Sequence, residues 1–352
     1  MTIPPGSTIG ILGGGQLGRM LSIAAARLGY KCHIFDPHES PCAADVAAAH
    51  TRAAFDDVAA LERFASEVDV VTYEFENVPV GPLEAIADKL LPSTRSLAIA
   101  QDRASEKEFL ERCGARVAPW RAVLTLTDVA CAASELGMPI VLKTRRYGYD
   151  GKGQAWIASG DVTEQSWQAI GAQPAVAESG ISFESEFSVI IARWADGLHA
   201  VWDPAENEHG EGILRRSTVP TSDAVAVQLP EACEVAVRIA EALDHVGVLT
   251  VEFFASEDGP LVNEIAPRVH NSGHWTIEGA VTSQFEQHIR AICGLPRGTT
   301  DLIGAGATMD NLIGDDVDRW PELVADPGAH VHIYGKDEAR PGRKMGHVTR
   351  LR

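Results

Sequence analysis

The 352-residue chain is poor in basic residues, in paired cysteines and in long apolar runs. It has 30 lysines and arginines against 49 acidic residues, and its net charge of −19 argues against non-specific nucleic-acid binding and against docking on anionic membranes. No apolar run reaches the roughly 20 residues of a membrane-spanning helix. An acidic protein of this kind can still bind anionic ligands where its cations are concentrated, so local clusters matter more than the total.

The six cysteines are scattered, and no pair has the spacing of a metal site or a redox motif. The first residues, MTIPPGSTIGILGGG, lack the charged region and cleavage site of a secretory signal peptide. We therefore expect free thiols, several of them buried, and a reducing cytoplasmic environment.

Apolar strands and amphipathic helices alternate at the start of the chain. Thr8 to Leu12 and Lys31 to Asp36 read as strands on either side of a helix over Leu17 to Leu28. A further helix over Val58 to Ala65 precedes a strand over Val68 to Tyr73. This order predicts a doubly wound parallel sheet in the first hundred residues.

The segment from Val248 to His274 predicts a hairpin that carries two facing carboxylates. Apolar and β-branched residues flank a turn at Glu257 to Pro260. A pivot near Asp258 places Glu252 opposite Glu264, and like charges about 5 Å apart repel. A divalent cation would neutralise them, and Mg²⁺ favours one or two carboxylates together with substrate phosphates. The alternative is two exposed glutamates on a solvated face.

Residues just beyond the hairpin suit a small anion. Arg268, His270 and Asn271 together offer a guanidinium, an imidazole and an amide.

Two glycine-rich loops predict contacts to phosphate. GGGQLG, Gly13 to Gly18, fits the dinucleotide fingerprint, with Asp36 about 20 residues further on, and a nicotinamide enzyme is one alternative. The physics of the motif is broader, because any anion can approach backbone N–H groups at a helix N-terminus. GYDGKGQ, Gly148 to Gln154, has three glycines in seven residues and could fold over phosphates, or it could be an ordinary surface loop.

Several charged residues at strand ends are further candidates, each of which could instead be a surface side chain or a cap. Lys143 ends a strand and could reach nucleotide phosphates, whereas Glu178 and Glu186 flank a segment suited to a ribose and an adenine. His209 could donate to phosphate. Tyr73 to Asn77 ends a strand where open α/β sheets bind ligands.

The tail of the chain is basic although the protein is acidic. YGKDEARPGRKMGH carries Lys336, Arg340, Arg343, Lys344 and His347. The cluster is either a solvated end or a clamp over an anionic substrate.

Taken together, these motifs make the chain resemble the ATP-grasp enzymes and, among them, the 5-(carboxyamino)imidazole ribonucleotide synthases of purine biosynthesis. The resemblance runs from Gly13 to the tail. It is carried by GGGQLGRM, YEFENVP, QDR with a nearby EK, KTRRYGYDGKGQ, NEHGEGI, VEFF, NEIAPRVHNSGHWT, and YGK followed by GRKMGH.

The resemblance implies an α/β fold, α+β overall, of the ATP-grasp type. It implies an N-terminal Rossmann-like parallel-sheet domain over residues 1–102, a central lid over 103–182 that carries the second glycine loop, and a C-terminal ATP-grasp domain over 183–352 with the metal hairpin and the basic tail. ATP is expected between the last two.

The resemblance also implies roles for individual residues. The nucleotide, ATP, is expected to contact Arg103, Lys143, Gly148, Tyr149, Asp150, Gly151, Lys152, Gly153, Gln154, Glu178, Ser179, Gly180, Ile181, Glu186, His209, Asn263 and Glu264. Mg²⁺ is expected on Glu252 and Glu264. The catalytic residues are expected to be Arg268, His270, Asn271, Asp150 and Lys336. The ribonucleotide is expected at Glu76, Tyr149, Lys336, Arg343 and Lys344, with Asp150 beside it.

One position departs from the wider superfamily. Many ATP-grasp enzymes have an asparagine two residues after the second metal glutamate, and here that position is Ala266. Water or Asn263 could substitute, although Asn263 should point to the other face of a regular strand.

The expected reaction is the ATP-dependent carboxylation of aminoimidazole ribonucleotide by bicarbonate, through carboxyphosphate, in a cytoplasmic homodimer with no nucleic-acid or membrane partner. A general base could be the leaving phosphate, His270 or Asp150. Three alternatives remain: a sister enzyme that phosphorylates formate, the nicotinamide oxidoreductase, and a silent nucleotide-binding scaffold.

Overall fold

The first unit is a parallel sheet with helices packed on it, which confirms the prediction from the alternating pattern. The computed structural model describes residues 2–148, 152–158 and 164–352. The elements of the first unit are β1 (Thr8–Leu12), α1 (Gln16–Arg27), β2 (Lys31–Phe35), β3 (Ala49–Thr51), α2 (Val58–Ser66), β4 (Val70–Tyr73), α3 (Val80–Leu83) and α4 (Thr94–Ala100). The strands lie in the order β3-β2-β1-β4 and every pair is parallel. Because β1 and β4 are neighbours, the glycine loop after β1 lies beside the segment after β4.

The second unit is a small antiparallel sheet with its own core. Helix α5 (Arg103–Arg112) leads into this unit, although its Phe109 and Leu110 belong to a different hydrophobic cluster, together with Val251 and Val262. The other elements are β5 (Trp120–Val123), α6 (Leu126–Leu136), β6 (Ile140–Thr144), β7 (Gln154–Ile157), α7 (Glu164–Ala169) and β8 (Ala175–Ser179). The strands lie in the order β5-β8-β6-β7. Helix α6 begins at a capping box, in which Thr125 accepts from the Asp128 N–H and the Asp128 carboxylate accepts from the Thr125 N–H. Val129, Leu142 and Trp167 belong to a hydrophobic cluster of this unit alone.

The third unit is built on a large sheet. Its elements are β9 (Ser185–Arg193), β10 (His199–Val201), β11 (Ala205–Gly210), β12 (Ile213–Val219), α8 (Asp223–Ala226), α9 (Leu229–Ala242), β13 (Gly247–Ser256), β14 (Gly259–Ala266), α10 (Thr276–Gly279), α11 (Gln284–Ile292), β15 (Ala307–Ile313), α12 (Trp320–Ala325), β16 (His330–Ile333) and β17 (Lys344–Leu351). The strand order is β14-β13-β9-β11-β12-β15-β17-β16, with β10 paired to β9. Strand β14 is therefore at one edge.

One sequence prediction for this unit is wrong. The helical pattern from Ile277 to Cys293 predicts a single helix, but α10 ends at Gly279 and α11 starts at Gln284. The Ser283 side chain accepts from the Glu286 N–H, so a new N-cap interrupts the run.

The first and third units share one hydrophobic core. Leu21 of α1 and Phe285 of α11 belong to the same cluster, and the buried Thr72 hydroxyl lies 2.8 Å from His288 Nε2. The two units are therefore fixed against each other, whereas the small sheet has a separate core. The division at residues 102 and 182 stays a prediction. In the described ranges, no helix combines the length and the apolar character needed to cross a membrane.

Candidate active site

A cleft of about 1040 Å³ lies where the three units meet. The predicted site residues that line it are Glu76, Arg103, Lys143, Gly148, Gln154, Glu178, Ser179, Ile181, Glu186, His209, Glu252, Asn263, Glu264, Arg268, His270, Asn271 and Lys344. Tyr149, Asp150 and Gly151 lie outside the described residues. Residues far apart in the chain thus converge, as expected of one ligand site.

The hairpin brings its two glutamates face to face. Glu252 on β13 is the register partner of Glu264 on β14, which confirms the predicted pairing. The turn itself has only two residues, and a β-bulge between Glu252 and Phe253 shifts the register by one. Without that bulge the turn would pair Glu252 with Asn263. The expectation that Asn263 points away from the cleft is wrong, because a bulge re-aims side chains and both Asn263 and Glu264 line the cleft.

Each of the two carboxylates lies against a basic side chain of the protein. His270 Nε2 is 3.1 Å from Glu252 Oε1, and Arg103 Nη1 donates to Glu264 Oε2 at 2.8 Å. Burial alone would raise the pKa of Glu252, but the hydrogen bond and charge of His270 outweigh it and hold the pKa well below its usual value. His270 is oriented in turn, since its Nδ1 lies 2.9 Å from the Ser272 hydroxyl. Glu252 is thus held in the charged state that a metal ligand needs.

The donor set suits a hard divalent cation that also binds phosphate. Two carboxylates supply oxygen ligands, and each ion pair engages one oxygen only, Oε1 of Glu252 and Oε2 of Glu264. Across the part of the chain that the structure describes, no group of three or more metal-ligating side chains is assembled. Ala266 supplies no ligand, so ligands beyond the two glutamates would have to come from Asn263, which lines the cleft, or from substrate and water, and a share of substrate and water ligands is typical of Mg²⁺.

A buried charge cluster lies under the cleft. Lys143 Nζ on β6 is 3.0 Å from Glu178 Oε2 on β8, and Lys107 Nζ on α5 is 3.4 Å from the same oxygen. Burial would raise the pKa of Glu178, but the two ammonium groups lower it to about 2. Burial lowers the pKa of Lys143, whose Nζ also donates to Asn263 Oδ1 at 3.3 Å. The cluster links the small sheet to the β13–β14 hairpin.

A second ion pair and an apolar slot lie at the other end of the nucleotide region. His209 Nδ1 is 2.6 Å from Glu186 Oε2, and this carboxylate raises the pKa of His209 against the opposing effect of burial. Close by, the cleft is lined by Val141, Trp156, Phe183, Leu214 and Phe254. The rings of Phe183 and Phe254 are 4.6 Å apart. A flat aromatic ligand fits such a slot.

The anion-binding candidates lie on the side of the cleft nearest the first unit. Arg268 Nη2 is 2.8 Å from Glu76 Oε2, so the segments after β4 and β14 meet. Of the atoms the structure describes, none accepts a hydrogen bond from the buried Nε of Arg268. Asn271 exchanges two hydrogen bonds with Asn311, at 2.9 and 2.6 Å. Arg268 is therefore anchored by Glu76 and keeps one buried nitrogen without an acceptor among the described atoms, whereas the Asn271 amide is engaged on both its polar atoms.

Of the three tail residues predicted to bind substrate, one lies at the cleft and two lie behind it. Lys344 lines the cleft. Lys336 Nζ donates to the Lys344 carbonyl at 2.7 Å, and Arg343 Nη1 donates to the Glu338 carbonyl at 2.8 Å. Burial lowers the pKa of Lys336 to about 8. The tail thus folds back on the site, and Lys336 lies one layer behind Lys344.

The N-terminal glycine loop is occupied by the protein's own carboxylates. The Gly14 N–H donates to Asp36 Oδ2 at 2.7 Å, and the Gly15 N–H donates to Glu74 Oε1 at 2.8 Å. A Cβ at Gly13, where φ is +102°, would lie 2.6 Å from Glu74 Oε1. Glycine is required here for the approach of Glu74. A dinucleotide would have to displace two acids, so the nicotinamide alternative is wrong for this loop.

The second glycine loop is described at its two ends. A Cβ at Gly153 would lie 2.5 Å from the Thr144 hydroxyl oxygen, and a Cβ at Gly148 would lie 3.8 Å from Arg103 Nη2. The ends of the loop are therefore packed against the end of β6 and against Arg103. Lys152, Gly153 and Gly180, although described, do not line the cleft.

Three important acids and bases were not identified from the sequence. Glu74 follows β4, and Glu106 and Lys107 lie on α5 next to the predicted Arg103. The side chains of Glu106 and Lys107 are 2% and 0% exposed. Burial and the nearby Glu264 raise the pKa of Glu106 to about 8. The sequence signals were indirect, since Glu106 and Lys107 form the EK of the QDR and EK motif and Glu74 lies within the segment from Tyr73 to Asn77.

Family-level comparison matches three stretches of the chain. Residues 6–101 match a ribonucleotide synthetase preATP-grasp domain, and residues 108–285 match an ATP-grasp domain. Residues 307–352 match a phosphoribosylaminoimidazole carboxylase C-terminal domain.

Individual relatives are similar over almost the whole length. An N5-carboxyaminoimidazole ribonucleotide synthase of Brucella melitensis is 50% identical over 357 residues, which cover 100% of this chain and 98% of the relative. The structure of a Staphylococcus aureus N5-carboxyaminoimidazole synthetase with ADP has a TM-score of 0.95 at 38% identity, covering 100% of this chain and 94% of that one. An Aspergillus clavatus synthase in complex with ADP and 5-aminoimidazole ribonucleotide has a TM-score of 0.92 at 32% identity, covering 98% and 94%.

Proposed function

Because the chain belongs to the N5-carboxyaminoimidazole ribonucleotide synthase family of ATP-grasp enzymes, we propose that it carboxylates 5-aminoimidazole ribonucleotide with bicarbonate, converting ATP to ADP and phosphate. One observation carries the proposal. The facing Glu252 and Glu264 lie in a single cleft, between the cations Arg103 and Lys143 on one side and Arg268 on the other. Such a site can hold a triphosphate and a small anion at once.

ATP would lie between the small sheet and the hairpin. The apolar slot around Phe183 and Phe254 would take the adenine, next to the backbone of Glu178 to Ile181. Glu186 would accept the ribose hydroxyls, while Lys143, Arg103 and His209 would face the phosphates. The Gly148–Gln154 loop, including Lys152, would close over them and exclude water.

Glu252 and Glu264 would hold Mg²⁺, which when bound supplies positive charge against the β- and γ-phosphate oxygens. The rest of the charge balance comes from side chains. Arg103 is fixed by its hydrogen bond to Glu264, and His270 by its contacts to Glu252 and Ser272. These groups are oriented before the substrate arrives, which is the condition for electrostatic stabilisation of a transition state.

Transfer to bicarbonate would take place beside Arg268. A bicarbonate oxygen attacks the γ-phosphorus, ADP leaves, and carboxyphosphate forms. Arg268 lines the cleft and is anchored by Glu76, so its guanidinium can hold bicarbonate and then carboxyphosphate. Asn271 would contribute through its backbone and by shaping the pocket, since Asn311 engages its amide.

The second step would join the carbon to the ribonucleotide amine. The amine attacks carboxyphosphate, or carbon dioxide released from it, and phosphate leaves. The proton is taken by that phosphate, by His270 or by Asp150. Glu76, Tyr149, Lys344, Lys336 and Arg343 would surround the ribonucleotide, with the two last-named behind the contact layer.

We further propose a homodimer that acts in the cytoplasm. The six free cysteines suit a reducing compartment. Sedimentation equilibrium would test the dimer, and a single species at the mass of one chain would contradict it.

The decisive experiment for the activity measures phosphate release from ATP with each substrate omitted in turn. We expect release only with both bicarbonate and 5-aminoimidazole ribonucleotide present. Release that is indifferent to both, or that occurs with formate in place of bicarbonate, would refute the proposed reaction.

A further inference from the structure

The part of β14 that carries Glu264 lies at the edge of the large sheet, and helix α5 covers this edge. Strand β14 pairs only with β13 in its sheet, so its outer backbone groups need other partners. The Val262 N–H donates to the Arg116 carbonyl at 2.8 Å. For the residues after Val262, side chains of α5 form hydrogen bonds with the outer backbone groups of β14.

Helix α5 presents three ionisable side chains to this edge at positions i, i+3 and i+4, which share one helix face. Arg103 donates to the carboxylate of Glu264 at 2.8 Å. Glu106 Oε1 accepts the Ile265 N–H at 2.7 Å, and Lys107 Nζ donates to the Asn263 carbonyl at 3.0 Å.

These three contacts hold Glu264 at its side chain and at the backbone groups before and after it. Its side chain meets Arg103, the carbonyl before it meets Lys107, and the N–H after it meets Glu106. This stretch of β14 lies directly beside the bulge that turns both Asn263 and Glu264 into the cleft. A bulge lacks regular ladder bonds, so its geometry depends on such outside partners.

We propose that Glu106 and Lys107 are positioning residues that fix the backbone of β14 on either side of Glu264, so that this carboxylate meets Glu252 at the metal. The inference rests on the proposed metal role of the two glutamates. Neither positioning residue is assigned a contact with substrate. Their side chains form the hydrogen bonds to the β14 backbone that a neighbouring strand would otherwise form.

The test compares E106A, E106Q and K107M with E108Q. Glu108 lies on the same helix with an exposed side chain, so E108Q is the matched control. The first readout is amide hydrogen exchange of the β14 peptide in the protein without nucleotide or metal. The second is the Mg²⁺ concentration that half-saturates ADP binding, measured by calorimetry.

E106A should speed exchange at Ile265 and raise the Mg²⁺ requirement about tenfold, the size of effect typical of groups that orient metal ligands. E106Q retains an oxygen acceptor and should restore both readouts to near the wild-type values. K107M should raise the Mg²⁺ requirement as well, and E108Q should change neither. If E106A does not fold, E106Q and K107M still decide the matter.

Wild-type exchange and Mg²⁺ dependence in both E106A and K107M would overturn the inference. So would an E106Q protein as impaired as E106A, because charge rather than the backbone anchor would then be responsible. A wild-type protein that binds ADP without any Mg²⁺ dependence would instead refute the proposed metal site, while exchange at Ile265 would still report on the anchor.

Discussion

Glu178 offers the sharpest test of how the cleft is held together, because two buried ammonium groups share its one carboxylate. Lys143 and Lys107 approach its Oε2 to 3.0 and 3.4 Å, and the three side chains are 3%, 9% and 0% exposed for Glu178, Lys143 and Lys107. Coulomb attraction at 3 Å is about 5 kcal/mol at an effective dielectric constant of about 20. In the intact cluster, the cost of desolvating the three charges offsets much of this attraction. Once the carboxylate is removed, the desolvation cost of the two ammonium groups remains and no attraction compensates it.

Glu178→Gln should therefore destabilise the protein by about 3–5 kcal/mol, the usual consequence of removing one partner of a buried pair. At about 2–4 °C per kcal/mol for large domains, the melting temperature should fall by about 6 °C or more. Glu184→Gln, at an exposed position nearby, is the control. The double variant E178Q/K143M should melt above E178Q, because it removes one of the two stranded charges.

The pH dependence has a definite sign. The pKa of Glu178 is lowered in the folded protein, so its contribution to stability is present above the unfolded pKa and declines as pH falls from about 4.5 towards 2. The difference between wild type and E178Q should thus be constant near neutrality and shrink in acid. Calorimetric melting of the four proteins checks all three statements. A melting temperature for E178Q within about 1 °C of E184Q, or further loss on adding K143M, would refute the electrostatic reasoning.

Two other predictions concern the chemistry. Glu264→Gln should lower kcat by at least about 10²–10³-fold while the melting temperature changes by no more than about 2 °C, since Glu264 is partly exposed and glutamine can still accept from Arg103. Glu257→Gln at the exposed turn is its control, and near wild-type turnover of E264Q would remove the metal assignment. Lys336→Ala should raise the KM for the ribonucleotide about tenfold and leave that for ATP unchanged, because it removes the charge-assisted hydrogen bond by which Lys336 holds the Lys344 carbonyl beside the cleft. Because burial lowers the pKa of Lys336 to about 8, the wild-type ribonucleotide KM should rise above that pH as the ammonium deprotonates, and K336A should lack this rise. Equal changes in both KM values would contradict the clamp.

The sequence predicted those features that depend on local chemistry. Alternating apolar periods identified the parallel sheet, and the turn residues at Glu257 to Pro260 placed the hairpin. The facing of Glu252 and Glu264 followed from the position of that turn, although the register that achieves it includes a bulge. Residues grouped by a recognised motif, such as Arg268 and His270, were likewise found in one cleft.

Features that depend on distant partners were missed. Glu106 and Lys107 look like members of a solvated helix face, because charged residues on a helix usually are. Only the tertiary structure shows that their face covers the edge of β14, more than a hundred residues away in the chain. Helix periodicity gives the direction of a side chain on its own helix but not what lies opposite.

The N-terminal glycine loop also shows that a local pattern does not identify its distant partner. GGGQLG is a local pattern, and its glycines do bring backbone N–H groups close to an anion, as the motif requires. The anions are Asp36 and Glu74, which the parallel pairing of β1 with β2 and β4 brings to the loop. Burial raises the pKa of Glu74, and the Gly15 N–H is one of the groups that oppose this shift. A glycine fingerprint therefore predicts an anion at a helix start, and whether that anion is a ligand or the protein's own carboxylate depends on the residue that ends the adjacent strand.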